Sequence, residues 1–559
     1  MQLLGLSALL LVSAQALAAE RPRAPAQAAP FDSQQANVQF HVMAGEMAAN
    51  RQQPGVAAQE FLKALAITPD PDLAQRATQL ALLAKDMGLA MQAAQRWLVV
   101  EPSALEAREV IARLALEAGD KAEVQRQAQA IVDGHAGGRD DGYRHVALLL
   151  AQSGNEHGPI SLEIMRQLTE KEPKRAGAQH ALALVALRYE DLPLAETSAR
   201  KAVELSKGAE EETLLLAGVL VRQKKLDESG ALIDKLAGGP KGPTIRYAYS
   251  RLLLEADQRD AARSQLQKAL AANPKMDEAR FALGVLAVSD QQYAEAEKYL
   301  QPLMQGERVQ EAALQLGRME ESRKNWDKAL DYYAKVTNGM PAVEALMRRA
   351  SVMAENGQLP AARSLLAQAR DQLPPLGPRF YRAEAEILLE ANANEEALKL
   401  LDEAVSDYPD DGDLIYSRSL VHERLGQLPL AEKDLRSLLA QDPDDARALN
   451  GLGYMLLVHT QRLDEATEMI RRAHELEPDD AAIIDSLGWA EYKRGRHQEA
   501  LTWLQQAYDK FPDPEVAAHL GEVLWVLGQK ERAREIWDKA LADDPAHRVL
   551  KETVQRLTR

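Results

Sequence analysis

The 559-residue sequence contains no cysteine. Disulfides, thiol nucleophiles and Cys-ligated metals are therefore closed to it, as is lipid attachment to an N-terminal cysteine. Aromatic residues are scarce at 5 %, too few to fill one large compact core. Positive charge is in deficit as well. Lys and Arg number 67 against 84 Asp and Glu, a formal net charge of −17. Such a surface repels nucleic acid and anionic membrane, and no cluster of basic residues reverses that expectation. What the chain does have is Ala and Leu in abundance with 27 % charged residues, the balance of amphipathic helices with wet outer faces.

Catalytic motifs are also missing. The eleven His include no H-E-x-x-H or H-x-x-E-H, and neither G-x-x-x-x-G-K-[ST] nor G-x-S-x-G occurs. His474-Glu475 lies beside a helix-packing alanine and reads as part of a solvated face. The acidic run Asp407 to Asp413 has the composition of a calcium loop without its spacing, so it reads as a turn and helix cap. The glycines from Gly134 to Gly142 and from Gly238 to Gly242 follow no strand and read as loops. No catalytic residue, cofactor or metal is expected, and the chain is not expected to be an enzyme.

The first residues differ from the rest. An apolar stretch from Leu3 to Val12 is broken only by Gly5 and Ser7, and Ala14-Gln15-Ala16-Leu17-Ala18 follows it. This is the pattern of a secretory signal with a small-residue cleavage site, too short to span a bilayer. Residues 1–19 are expected to be removed on export, and the Pro/Ala-rich segment 20–37 to be flexible. A cysteine-free exported chain suits the periplasm of a bacterium.

The dominant signal beyond is a repeat of about 34 residues. Leu487-Gly488-Trp489 is followed by Ala500, Leu504, Ala507 and Pro512; Leu520-Gly521-Glu522 by Ala533, Trp537, Ala540 and Pro545. Leu452-Gly453-Tyr454 leads to Ala466, Ile470, Ala473 and Pro478, and the first copy is Gly45, Ala57, Phe61, Ala64 and Pro69. Pro69 and Pro545 stand fourteen intervals of 34 apart, which implies about fifteen helix pairs. Small residues let antiparallel helices approach closely, and proline stops one helix and suits the first turn of the next. Trp537 and its equivalents should fill the space against the following pair. The register is weakly marked between Pro102 and Pro240. The expected order is a divergent array over 38–240, a regular array over 241–546 and a capping helix over 547–559.

These offsets resemble the tetratricopeptide repeat (TPR) family over roughly residues 38–546. The resemblance implies an all-α, right-handed superhelical α-solenoid that binds proteins. Two stretches, FHVMAGEMAANRQQPGVAAQEFLKAL from Phe40 and DSLGWAEYKRGRHQEALTWL from Asp485, are similar to a narrower group. These are proteobacterial envelope lipoproteins that partner a carboxy-terminal processing protease. That likeness implies a periplasmic adaptor, possible outer-membrane association, and protease and peptidoglycan hydrolase partners. This sequence departs from the group in lacking the lipidated cysteine. Alternatives are a scaffold for outer-membrane assembly or polysaccharide secretion, and, with less support, an enzyme acting on peptidoglycan or polysaccharide. The last would need a non-repeat domain for which the array leaves no room.

In such a stack the first helix of each pair lines the inner surface. The inward positions are then Asn450, Tyr454, Asp485, Trp489, Tyr492 and Trp525, a set able to clasp an extended peptide or a helix. Lys and Arg are sparse among them, which argues against a clamp for acidic chain termini. N-terminal sequencing of the exported protein should find cleavage after Ala18 or Ala19; an intact leader would refute the export signal.

Overall fold

The computed structural model describes residues 33–545 and 547–558. The expected signal segment 1–19 lies outside them, as does most of the segment 20–37. The first described helix, Ser33–Asn50, overlaps that segment. Among the described residues there are thirty-one α-helices, three short 3-10 turns and no strand. None of these helices is long and apolar enough to cross a membrane.

The chain divides into two compact units, Met1–Pro274 and Lys275–Arg559. The described part of the first holds seven successive helix pairs, from Ser33–Asn50 with Pro54–Ile67 to Gly242–Glu255 with Arg259–Ala272. The second holds eight, from Asp277–Ser289 with Tyr293–Leu300 to Pro514–Val526 with Lys530–Asp543. The helix Arg548–Thr558 then packs on the last pair, chiefly on its first helix. The fifteen pairs and the terminal helix match the expected all-α solenoid.

Several pairs close on a glycine notch. A methyl group on Gly45 would lie 2.8 Å from the Phe61 ring, on Gly453 2.7 Å from Ile470, and on Gly488 2.7 Å from Leu504. Gly317 with Tyr333 and Gly521 with Trp537 are tighter still. Trp537 therefore fills its own pair instead of the space before the next, because a residue sixteen places on lies straight across the hairpin. Turns inside the pairs need one residue at positive φ, supplied by Gly495 (φ 80) and Gly528 (φ 81). Lys224, Lys324 and Asn392 take φ of 58–61 in the equivalent turns, so a search for glycine misses those repeats.

The weakly marked region holds four pairs, one of them irregular. Arg139–Ala151 scarcely touches its nominal partner Gly158–Lys171 and packs closely on Ala176–Arg188 instead. Gly177 against Asp140 allows that approach, while Gly142 meets Val132 of the preceding helix and Gly158 meets Tyr189. Both glycine stretches lie at turns between pairs, as expected.

Gly488→Ala should cost about 1–3 kcal/mol by overpacking, and Leu504→Ala about 2–5 kcal/mol by leaving a void. The double variant should cost clearly less than the two together, because each change relieves the other. Urea unfolding with amide exchange on the Ala481–Lys493 and His497–Lys510 helices measures this; strict additivity would refute the notch.

Candidate binding pocket

In the second unit successive first helices lie side by side. Four begin at an aspartate that caps their free backbone N–H groups. Asp411 accepts from Leu414 N (3.0 Å), Asp445 from Ala448 N (2.9 Å), Asp480 from Ala482 N (2.8 Å) and Asp513 from Glu515 N (2.8 Å). The acidic run is thus a turn and cap, with Asp407 accepting from the Tyr381 hydroxyl at 3.0 Å.

Capping fixes which face each helix presents. Tyr416, Asn450 and Asp485 follow their caps by the same interval, and Leu420 and Tyr454 stand one helical turn further on. Together with Glu423, Gly451, Ser486, Phe511 and Glu515 they line a pocket of about 320 Å³. The sequence placed Asn450, Tyr454 and Asp485 on the inner surface, and all three line this pocket.

Behind it lies a polar network that crosses repeats. The Tyr454 hydroxyl donates to Glu515 Oε1 at 2.9 Å, two first helices away, and stands 3.4 Å from His519 Nε2. His519 Nδ1 is 2.8 Å from Asp485 Oδ2, with both residues buried at 5 % and 6 % exposure. The buried Trp489 ring stacks on His519 (centroids 4.1 Å, planes 18° apart) and on Tyr492 (4.8 Å, 25°). Tyr492 donates to Glu522 at 3.0 Å, and Arg556 of the terminal helix pairs with the same carboxylate.

Trp489 and Tyr492 therefore support the pocket from behind without lining it. Trp525 stands apart from both. Its ring packs on Trp537 (5.6 Å) between Lys530 and Arg534. Phe511, Glu515 and His519 went unrecognised, since they belong to the loop and first helix of the next repeat. His474 packs edge-on against Trp503 at 5.2 Å.

Burial and the neighbouring carboxylates together decide the protonation of this network, opposing one another at His519 and adding at the tyrosines and Glu423. Burial lowers the pKa of His519, but the Asp485 carboxylate, with help from Glu515 and Glu522, outweighs it, so the imidazole is held above its ordinary value. Burial and then Glu515 raise Tyr454, which stays a donor. Burial and then Glu522 push Tyr492 up to about 12. Burial also raises Glu423, which His459 opposes and Glu515 reinforces. His519 and Asp485 look like two parts of a hydrolytic triad, yet His519 Nε2 faces Tyr454, while Ser486 Oγ donates to Ala482 O at 2.9 Å. That arrangement supplies no activated nucleophile.

A raised folded-state pKa means that protonated His519 stabilises the last pairs fully below about pH 6.5. That contribution is lost as pH rises through the folded-state value. Amide exchange in Ala481–Lys493 and Pro514–Val526 should quicken over that rise, and His519→Gln should abolish the change in slope. Asp485→Asn should cost about 3 kcal/mol by orphaning the buried imidazole; a neutral result would refute the pairing.

Comparison with known proteins follows the same geometry. The model of the tetratricopeptide repeat family matches residues 247–302, 311–375, 348–412, 416–481, 461–515 and 485–548, together just over half of the chain. A TPR repeat-containing protein of Pseudomonas aeruginosa is 38 % identical over 250 residues, covering 45 % of this chain and 42 % of that protein. Cellulose synthase 2 operon protein C of Komagataeibacter xylinus is 26 % identical over 283 residues, 50 % of this chain and 20 % of that one. The matches thus span less than half the length of either curated relative. Among solved structures, yeast Tom70 aligns with 94 % of this chain and 100 % of its own at 15 % identity and a TM-score of 0.36.

Proposed function

Because the chain belongs to the tetratricopeptide repeat family, we propose that it is a scaffold that grips a segment of a partner protein in the pocket of its second unit. The observation that carries this reading is the construction of the pocket. Four consecutive first helices contribute side chains to it, and the network behind ties Tyr454 to Glu515 and Asp485 to His519 across repeats. A pre-formed, rigidly backed concavity suits binding, since little ordering is left for the partner to impose. Tyr and Phe walls give contact area, and exposed Leu420 and Phe511 flank the opening.

We further propose that the scaffold works in the periplasm as an adaptor, holding a carboxy-terminal processing protease together with its peptidoglycan hydrolase substrates. The apolar leader and the likeness at Phe40–Leu65 and from Asp485 onward support this. Its role is binding, not catalysis. A second reading, a scaffold for polysaccharide secretion, draws support from the similarity to the cellulose synthase operon protein.

Crosslinking in the native envelope followed by capture of the mature protein discriminates these. A processing protease and wall hydrolases should be recovered, and Tyr454→Ala should reduce their yield. Recovery of polysaccharide-export proteins instead would favour the second reading; recovery of no partner would refute both.

A further inference from the structure

The pocket has a one-sided chemistry. Its titratable lining is Tyr416, Tyr454 and four carboxylates, Glu423, Asp485, Asp513 and Glu515, with no Lys or Arg among the lining residues. Asp513 is occupied capping its helix and Asp485 faces His519. That leaves Glu423 and Glu515 on one concavity, repelling one another. Nearby cations are already engaged: Arg447 with Asp413 at 2.7 Å and over the Tyr416 ring at 4.6 Å, and His459 with Glu423 at 3.0 Å. Asn450 adds a further acceptor, since its buried Oδ1 has no hydrogen-bond donor.

A site made of acceptors wants a group made of donors. A carboxylate ligand would meet like charge, and a neutral amide would leave Glu515 with only the Tyr454 hydroxyl and Glu423 with only the His459 imidazole. Walls of Tyr416, Tyr454, Leu420, Phe511 and Val516 suit the aliphatic stem and flat head of a long cationic side chain. Phe511 and Leu420, 59 % and 44 % exposed, would flank the backbone that carries it. A guanidinium fits better than an ammonium, because its donors diverge in one plane toward separate acceptors and its face stacks on aromatic rings.

We propose that this pocket recognises an arginine side chain on an extended segment of the partner protein. The inference rests on the scaffold reading above and specifies what the scaffold selects. It is the opposite polarity from a clamp for acidic chain termini.

The test uses the full mature chain and three probes: the amidated, acetylated peptide Gly-Leu-Arg-Leu-Gly and its citrulline and glutamate counterparts. Citrulline keeps the shape of arginine and removes the charge. Calorimetric titration at about neutral pH and low salt should show the arginine peptide binding at least about ten-fold tighter than the citrulline peptide, with the advantage shrinking as salt rises. The glutamate peptide should not bind measurably. Glu423→Gln with Glu515→Gln should remove the preference for arginine over citrulline, because the two carboxylates that would face the guanidinium are neutralised. Equal affinity for arginine and citrulline, or no binding of any peptide at millimolar concentration, would overturn the proposal. If the double variant still captured the envelope partners in full, the scaffold reading would stand and the arginine pocket would fall.

Discussion

The closing of helix pairs on a notch, sharpest where the first helix carries glycine, is the constraint from which much of the structure follows. A glycine in the first helix receives a large side chain sixteen or seventeen residues later: Phe61 on Gly45, Ile470 on Gly453, Leu504 on Gly488 and Trp537 on Gly521. Bringing two backbones that close leaves no room for a methyl group and buries the large residue almost completely. One such pair still exposes apolar flanks, so it is stable only beside its neighbours. Stacking then sets first helix against first helix, and the inner surface is a by-product of the notch.

That by-product acquires chemistry where aspartate caps hold the register. Asp411, Asp445 and Asp480 each start a helix at an equivalent point, so Tyr416, Asn450 and Asp485 arrive side by side. Three neutral or acidic residues on adjacent helices do not by themselves make a rigid site. The rigidity comes from the repeat beyond, whose Glu515 and His519 tie down Tyr454 and Asp485. Arg556 of the terminal helix reaches the same layer through Glu522 and Tyr492. The terminal helix thus does more than cover an apolar end, since it completes the polar layer behind the pocket.

Much of this was legible in the sequence, and the limits have physical causes. Gly453, Gly488 and Gly521 announced the period because packing leaves no other residue at those points. Asn450, Tyr454 and Asp485 line the pocket, and their common register could be read from the period. Trp525 shares the register position of Tyr492 and packs on Trp537. Phe511, Glu515 and His519 carry no motif; the first two reach the pocket, and His519 the layer behind it, from the repeat that follows. In the first unit the irregular packing of Arg139–Ala151 on Ala176–Arg188 broke the period itself, and non-glycine residues such as Lys224 hid the turns.

The polarity of the pocket has a structural origin as well. A protein of net charge −17 would gain from placing its basic side chains where they shield buried carboxylates, and elsewhere this chain does so. Glu384 is held by Arg363 and Arg370, Asp434 by Arg418, and Glu491 by Arg471 and Arg496. Around the pocket Glu423 has only the imidazole of His459, and Glu515 only a phenol. Both are half-buried, so water solvates them in part and leaves them open to a charge from outside the chain. The molecule has arginines to spare for its structural carboxylates and spends none on these two, which is the pattern expected of a surface completed by its partner.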